Sequence, residues 1–274
     1  MSNSVYGIAL SGLNVARAGL SVTSNNIANV NTQGYSRQSL QQNQRESSFL
    51  GGNYFGQGVD VTSVRRSYSQ IISQQEQRAT SDAAYYQAKF DQVSRLDGVL
   101  GDDASGLSSA LSDFFNSAQV LSTSPTDLSA RQNFLSAASS LSSRFNSING
   151  VMDELRAATN LKVEDTVQKI NDAAAQIVNL NVRITAANSQ SFQSSPPNDL
   201  LDQRDELIKE LSAQVQLTSV PLEDGSINLF LANGQPLVVK GQDFPVTTSV
   251  DPTDPSNLLV GSNVADSSSP TGTT

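Results

Sequence analysis

The chain has 274 residues, of which 37% are hydrophobic, 6% aromatic and only 16% charged, so its surfaces are polar without being highly charged. A formal net charge of −9 argues against a nucleic-acid partner, for which a basic stripe should dominate. The absence of Cys and His removes disulfides, thiol nucleophiles, the Ser-His-Asp triad and the usual zinc ligands. Only carboxylate, Lys, Tyr or Ser/Thr chemistry survives, and the expectation is no enzyme, with catalytic residues, metal ligands and cofactors none.

The acidity is uneven, because residues 1–45 hold Arg17, Arg37 and Arg45 but no Asp or Glu. No uninterrupted run approaches the ~18 apolar residues of a membrane span, so membrane insertion is not expected. The first twenty residues lack the basic start of a cleaved signal peptide, their first charge being Arg17. A secreted protein with this sequence needs a route that uses no cleaved signal.

In chain order, Val5, Ile8, Leu13, Ala16, Leu20, Ile27 and Val30 recur at three- and four-residue steps, which predicts an amphipathic helix. Gly7, Gly12 and Gly19 interrupt it, each costing about 1 kcal/mol relative to Ala. The helix is therefore expected to order only on assembly, its small residues letting another helix approach. Asn25, Asn26, Asn29 and Asn31 then lead to Gly34, residue types that end helices. Residues 36–66 read as extended and turn-rich, with Gly51, Gly52, Gly56 and Gly58 around Tyr54 and Phe55. This glycine cluster lacks the Lys-Ser/Thr ending of a phosphate loop, and a hairpin or bulged turn is expected.

From Tyr68 to Leu100, Ile72, Ala79, Tyr86, Val93 and Leu100 are spaced by seven, with Ala83 and Phe90 on the adjoining row. That spacing predicts coiled-coil-like packing. Gly101–Gly106, with Asp102 and Asp103, should break the helix. Leu107, Leu111, Phe114, Ala118 and Leu121 form the next helical face. Ser124-Pro125-Thr126-Asp127 reads as a helix start with Ser as N-cap and Pro at the first position.

The pattern from Leu128 through Leu155 to Ile184 predicts a helix of roughly 95 Å if it continues to about Ser189, with Gly150 as a possible division. A loop at Ser191–Asn198 and a helix from Asp199 to about Ala213 follow. At Val220 the period changes to that of a strand, Ile227, Leu229 and Leu231 alternating between turn signals at Asp224-Gly225 and Asn233-Gly234. Leu237–Val239 suggests another strand, and the last fifteen residues close no fold.

The expected class is mainly α with a smaller β part. An N-terminal assembly helix and extended linker (1–66) lead to a long-helix, coiled-coil-like bundle (67–219) and the start of an antiparallel β domain (220–274). That last region reads as truncated or as continuing beyond Thr274.

Two segments carry a resemblance. Ala9–Leu13 and the run Ser24-Asn25-Asn26-Ile27-Ala28-Asn29-Val30-Asn31-Thr32-Gln33-Gly34-Tyr35 resemble the N-terminal signature of flagellar rod, hook and hook-associated proteins. Gly56-Gln57-Gly58-Val59 with Arg65 and Arg66 looks like the same family's next block. Leu200, Leu201, Asp202, Gln203, Arg204, Asp205, Glu206 and Leu207, followed by Asn233-Gly234-Gln235-Pro236, are similar to the hook-associated branch.

The resemblance implies a structural subunit that leaves the cytoplasm unfolded through the type III export channel and assembles at the hook–filament junction of the extracellular flagellum. Implied partners are copies of itself, the hook protein, a second junction protein, the export apparatus and an export chaperone. Val5, Ile8, Leu13, Ala16, Leu20 and Ile27 are the implied inner-core residues. Family members return their chain so that a C-terminal helix pairs with the N-terminal one. No second heptad segment follows Pro221, so a fragment or a shortened form is expected. The competing readings are a secreted coiled-coil adhesin or effector, and a carboxylate-based hydrolase, for which no converging acids are evident. For Asp202, Arg204 and Asp205 the expectation is a solvated or structurally paired helix face.

Overall fold

The computed structural model describes residues 2–100, 107–190 and 195–262. The expected break at Gly101–Gly106, most of the Ser191–Asn198 loop and the Ser/Thr-rich tail lie outside these residues.

Among the described residues the chain is mainly helical with small antiparallel sheets. Helix α1 (Ser2–Ala28) leads to strands β1 (Gln38–Gln44), β2 (Ser48–Leu50), β3 (Asn53–Phe55) and β4 (Val59–Arg66). Helices α2 (Gln70–Leu100), α3 (Leu107–Thr123), α4 (Leu128–Gln190) and α5 (Asn198–Ser212) follow. Strands β5 (Leu217–Pro221), β6 (Ile227–Leu231), β7 (Pro236–Val239), β8 (Gln242–Asp243), β9 (Val246–Val250) and β10 (Leu258–Ser262) complete the order. Among the described residues the contacts divide the chain into two compact units, one within residues 2–82, 169–246 and 262 and the other within residues 83–168 and 247–261.

The first unit holds most of the buried apolar side chains. Ile170, Ala174, Ile177, Leu180 and Ile184 form one face of α4, at steps of three and four. They join Ile208 and Leu211 of α5 and Leu217, Ile227, Leu229, Leu237 and Val238 of the sheet in the buried core. That sheet runs β5-β6-β7-β8, all antiparallel. Pro221 sits in β5 at the edge of the sheet, where a missing N–H is tolerated. The strand region thus begins at Leu217, three residues before the change of period at Val220. In the same unit β1 and β4 form a two-stranded ribbon with a bulge between Gln41 and Gln42, and β2 and β3 form a hairpin.

Three fine expectations are corrected. Gly150 does not divide α4, which is a single helix of 63 residues. Ser124 is not the N-cap. Ser124–Asp127 is a turn, closed by the Asp127 N–H to the Ser124 carbonyl at 3.1 Å, and Asp127 Oδ1 accepts the Ser129 N–H at 2.8 Å. Pro125 therefore supplies a turn φ rather than a first helical residue. The third concerns α2, whose seven-residue stripe faces solvent: Ile72 is 65%, Tyr86 67% and Val93 54% exposed. Its more covered positions are Ser73, Gln74, Gln77, Thr80, Ser81, Ala84, Gln92 and Leu96. Gln92 Nε2 donates to Thr159 Oγ1 of α4 at 3.2 Å. Heptad spacing located an apolar face but not the side on which the chain itself packs.

In the second unit, Phe114 of α3 stacks obliquely on Phe134 of α4 at 5.2 Å between centroids. The inward positions Leu107, Leu111, Phe114, Ala118 and Leu121 are half-buried, as their spacing predicts. In this unit Arg156 and Asn160 of α4 bind Ser256, through its hydroxyl at 2.6 Å and its carbonyl at 2.8 Å.

Candidate assembly site

Helix α1 is laid on the ribbon by small and polar residues, not by its most apolar ones. Ser11 and Val15 are buried. Ser11 Oγ donates to the Ile8 carbonyl at 2.8 Å and accepts the Val59 N–H at 3.2 Å. Gly58 makes this approach possible: its φ is +94°, and a Cβ there would collide with Ser11 Oγ and lie 3.4 Å from Ile8 Cα. Only glycine meets both demands at low cost.

The predicted inner-core residues fall on the other side. Val5 is 68%, Leu13 57%, Leu20 68% and Ile27 69% exposed; Ile8 and Ala16 are exposed as well. Among the described residues, and apart from the neighbouring backbone of α1 itself, nothing lies within 4 Å of a Cβ placed on Gly7 or Gly12. By length and composition Val5–Ala28 would suffice to cross a membrane, although Gly, Ser and Asn interrupt its apolar run. The polar members Ser11 and Asn26 are used against the ribbon and the strap that follows.

The signature run forms that strap. Asn26 Nδ2 donates to the Gln38 carbonyl at 2.9 Å, and Asn26 Oδ1 accepts the Gln38 N–H and the Tyr35 hydroxyl, each at 2.8 Å. One carboxamide thus returns the chain onto the end of α1. Asn29 Nδ2 donates to Asn25 Oδ1 at 2.8 Å and Thr32 Oγ1 donates to Asn29 Oδ1 at 3.2 Å, which stiffens the helix end. Ala28, Asn31 and Thr32 are exposed. At Gly34 φ is +76°, and an added Cβ would lie 3.0 Å from Glu206 Cβ.

Here the second motif meets the first. Asp202 Oδ2 accepts the Ser36 N–H at 3.0 Å, and Gln33 Nε2 donates to Glu206 Oε1 at 2.5 Å. Arg66, the last residue of β4, lies 3.0 Å from Asp202 Oδ1 and 2.6 Å from Asp205 Oδ2. Arg204 Nη1 donates to the Gly225 carbonyl at 2.7 Å and to Asn181 Oδ1 at 3.2 Å. Leu201 is half-buried and Gln203 exposed.

Asp202, Arg204 and Arg66 are thus buried side chains in one paired cluster, and the solvated form of the expectation does not describe them. Burial raises the Asp205 carboxyl above its ordinary range against the pull of Arg66, and burial lowers the Arg204 guanidinium, which stays cationic. Burial, then Asp199 and Asp202, also raises the Tyr35 phenol.

Sequence reasoning missed how α4 holds the sheet. Asn181, buried on the apolar face, donates to the Ile227 carbonyl at 2.9 Å and accepts the Ile227 N–H at 3.1 Å. Asn171 treats Val246 in the same way, at 2.8 Å for both bonds. The available signal was a carboxamide within an apolar helical stripe, one residue beyond Leu180.

Among the described residues no cluster of three or more His, Cys, Asp or Glu could hold a metal ion. Residues 8–35 match the model for flagella basal body rod proteins, which places the opening segment in the flagellar axial class. Residues 93–274 match the model for the helical domain of flagellar hook-associated protein FlgK, and the chain belongs to that family.

It is 36% identical over 254 residues to flagellar hook-associated protein 1 of Salmonella typhimurium strain LT2, covering 92% of this chain and 46% of that protein. To the Escherichia coli K12 protein of the same name it is 34% identical, over 91% of this chain and 46% of the relative. The Bacillus subtilis protein of that name is 31% identical over 81% and 45%. The chain therefore spans about half the length of these curated relatives. The solved structure of the flagellar hook junction protein FlgK from Burkholderia pseudomallei has a TM-score of 0.63 and 32% identity, over 69% of this chain and 33% of that one. These relatives are structural flagellar proteins, not enzymes.

Proposed function

We propose that the chain acts at the hook–filament junction of the flagellum, as an adaptor that polymerises with copies of itself between the hook protein and a second junction protein. It reaches that place unfolded, through the type III export apparatus and with an export chaperone, after a cytoplasmic stage. The observation that carries this reading is the exposed apolar side of α1, held outward by a strap of the family signature.

The residue chemistry supports the route. A chain without Cys forms no disulfide trap, and a first helix carrying Gly7, Gly12 and Gly19 is easily kept unfolded. Once subunits surround α1, burial of its exposed Ile8, Leu13, Leu20 and Ile27 supplies association energy of about 25 cal/mol per Å². The same surface takes a protein neighbour rather than a bilayer, because polar residues seat the helix from the other side. Residues 1–66 then serve assembly, 67–219 form the helical body, and 220–274 begin an outer β region.

The test is Leu13→Asp and Ile27→Asp in the motile cell and in purified protein. Assembly and motility should be lost, while the thermal transition of the purified chain stays within a few degrees of wild type. Normal motility in both variants would overturn the proposal.

A further inference from the structure

The cluster under the strap joins five separate stretches of the first unit. Arg66 comes from β4, Ser36 from the strap, Asp202, Arg204 and Asp205 from α5, Asn181 from α4, and Gly225 from the turn between β5 and β6. The Val64 N–H donates to Ser195 Oγ at 3.2 Å, and Asn198 Nδ2 donates to the Val64 carbonyl at 2.9 Å. The side chain of Arg66 is 10% exposed, and its guanidinium lies over the Tyr68 ring at 4.2 Å. Buried ion pairs of this kind contribute little net stability, but removing one partner leaves a charge in low dielectric. Their best use is to fix one arrangement among several.

We infer that Arg66 is the positioning residue of the assembly helix. By engaging both Asp202 and Asp205 it locks ribbon and strap onto α5, and so fixes where α1 presents its apolar side. The inference rests on the assembly role proposed above, but its first measurement does not require assembly. The charge of Arg66 is what matters: among the described residues, Arg66, Arg204, Asp202 and the Tyr68 phenol act on the buried Asp205 carboxyl, and Arg204 is already shared with Asn181, Gly225 and the field of Asp224.

Without Arg66 the Asp205 carboxyl loses the cation that opposes its burial, and its protonated form is favoured further. A carboxyl raised in the folded state contributes stability that is present at low pH and lost as pH rises through the folded value. The defect left by removing Arg66 must therefore be largest at neutral pH and recover on acidification.

The experiment measures amide hydrogen-exchange protection of Ser36 and of residues 38–44 and 59–66 in the full chain, at pH 7.5 and pH 4.5, for wild type, Arg66→Met, Arg66→Lys and Arg66→Met/Asp205→Asn. Arg66→Met should lose protection at least about tenfold at pH 7.5, a change of about 1.4 kcal/mol. It should recover at pH 4.5, in part in Arg66→Lys, and at pH 7.5 when Asp205→Asn is added. Unchanged protection in Arg66→Met overturns the inference. So does an equal loss at both pH values without rescue by Asp205→Asn, which would mean packing alone. If Arg66→Met does not fold at pH 7.5, folding of the double variant supports the inference and failure of both overturns it. Should both Leu13→Asp and Ile27→Asp assemble normally while these shifts appear, the junction role falls and the positioning role stands.

Discussion

Carboxamides perform most of the specific docking. Asn26, Asn171 and Asn181 each give and take a hydrogen bond with the peptide of a single residue, imitating a strand partner from a helix or its end. They differ in burial, and so in the expected cost of removal. Asn181→Ala strands the buried Ile227 peptide and one arm of Arg204, a loss of about 3 kcal/mol, whereas Asn171→Ala at a half-buried site loses about 1 kcal/mol. Chemical denaturation of both variants checks the ranking; an equal loss would refute it. Asp224 provides a pH-dependent contrast with Asp205. Hydrogen bonds from Ser226 hold its carboxyl below the ordinary range, so its contribution is present above the unfolded value and is lost as pH falls through the lower folded value. These roles were poorly legible in the sequence. Asn in a helix reads first as a weak helix former, and only its place in the Ile177–Ile184 stripe betrays a buried partner.

At the scale of elements, most of the order of helices and strands was legible, because periods of 3.6 and 2 are imposed by burial on one face. The side on which a helix meets its own chain was not. In both α1 and α2 the strongest apolar stripe points outward, since the chain covers the small and polar face instead. Two predictions belong here. Gly58→Ala should loosen α1 from the ribbon by about 1–2 kcal/mol through its left-handed backbone and the approach of Ser11, seen as faster hydrogen exchange across residues 8–22. Tyr86→Ser with Phe90→Ser on the exposed side of α2 should alter the thermal transition by no more than about 0.5 kcal/mol; a large loss would show that the stripe is covered within the chain. The strap was legible as a motif, yet its union with α5 was not, since Ser36 and Asp202 lie 166 positions apart and nothing local links them.

At the scale of the whole molecule, the two units are unequally stabilised. Among the described residues of the second unit, Ala130 and Val167 are its buried apolar side chains, while the first unit holds the continuous core from Ile170 to Val246. Native-state exchange should accordingly show residues 83–168 opening at lower free energy than residues 169–246. Uniform protection would contradict this. Length and composition bounded the class but could not assign this difference, which depends on the sheet returning to cover only the last third of α4.

The outward side of α1 also has a calorimetric consequence. Apolar surface removed from water lowers the heat capacity, and the driving force it provides fades on cooling. The polymerisation proposed through Val5, Leu13, Leu20 and Ile27 should therefore carry a negative ΔCp and be cold-labile, with the critical concentration rising as temperature falls toward 0 °C.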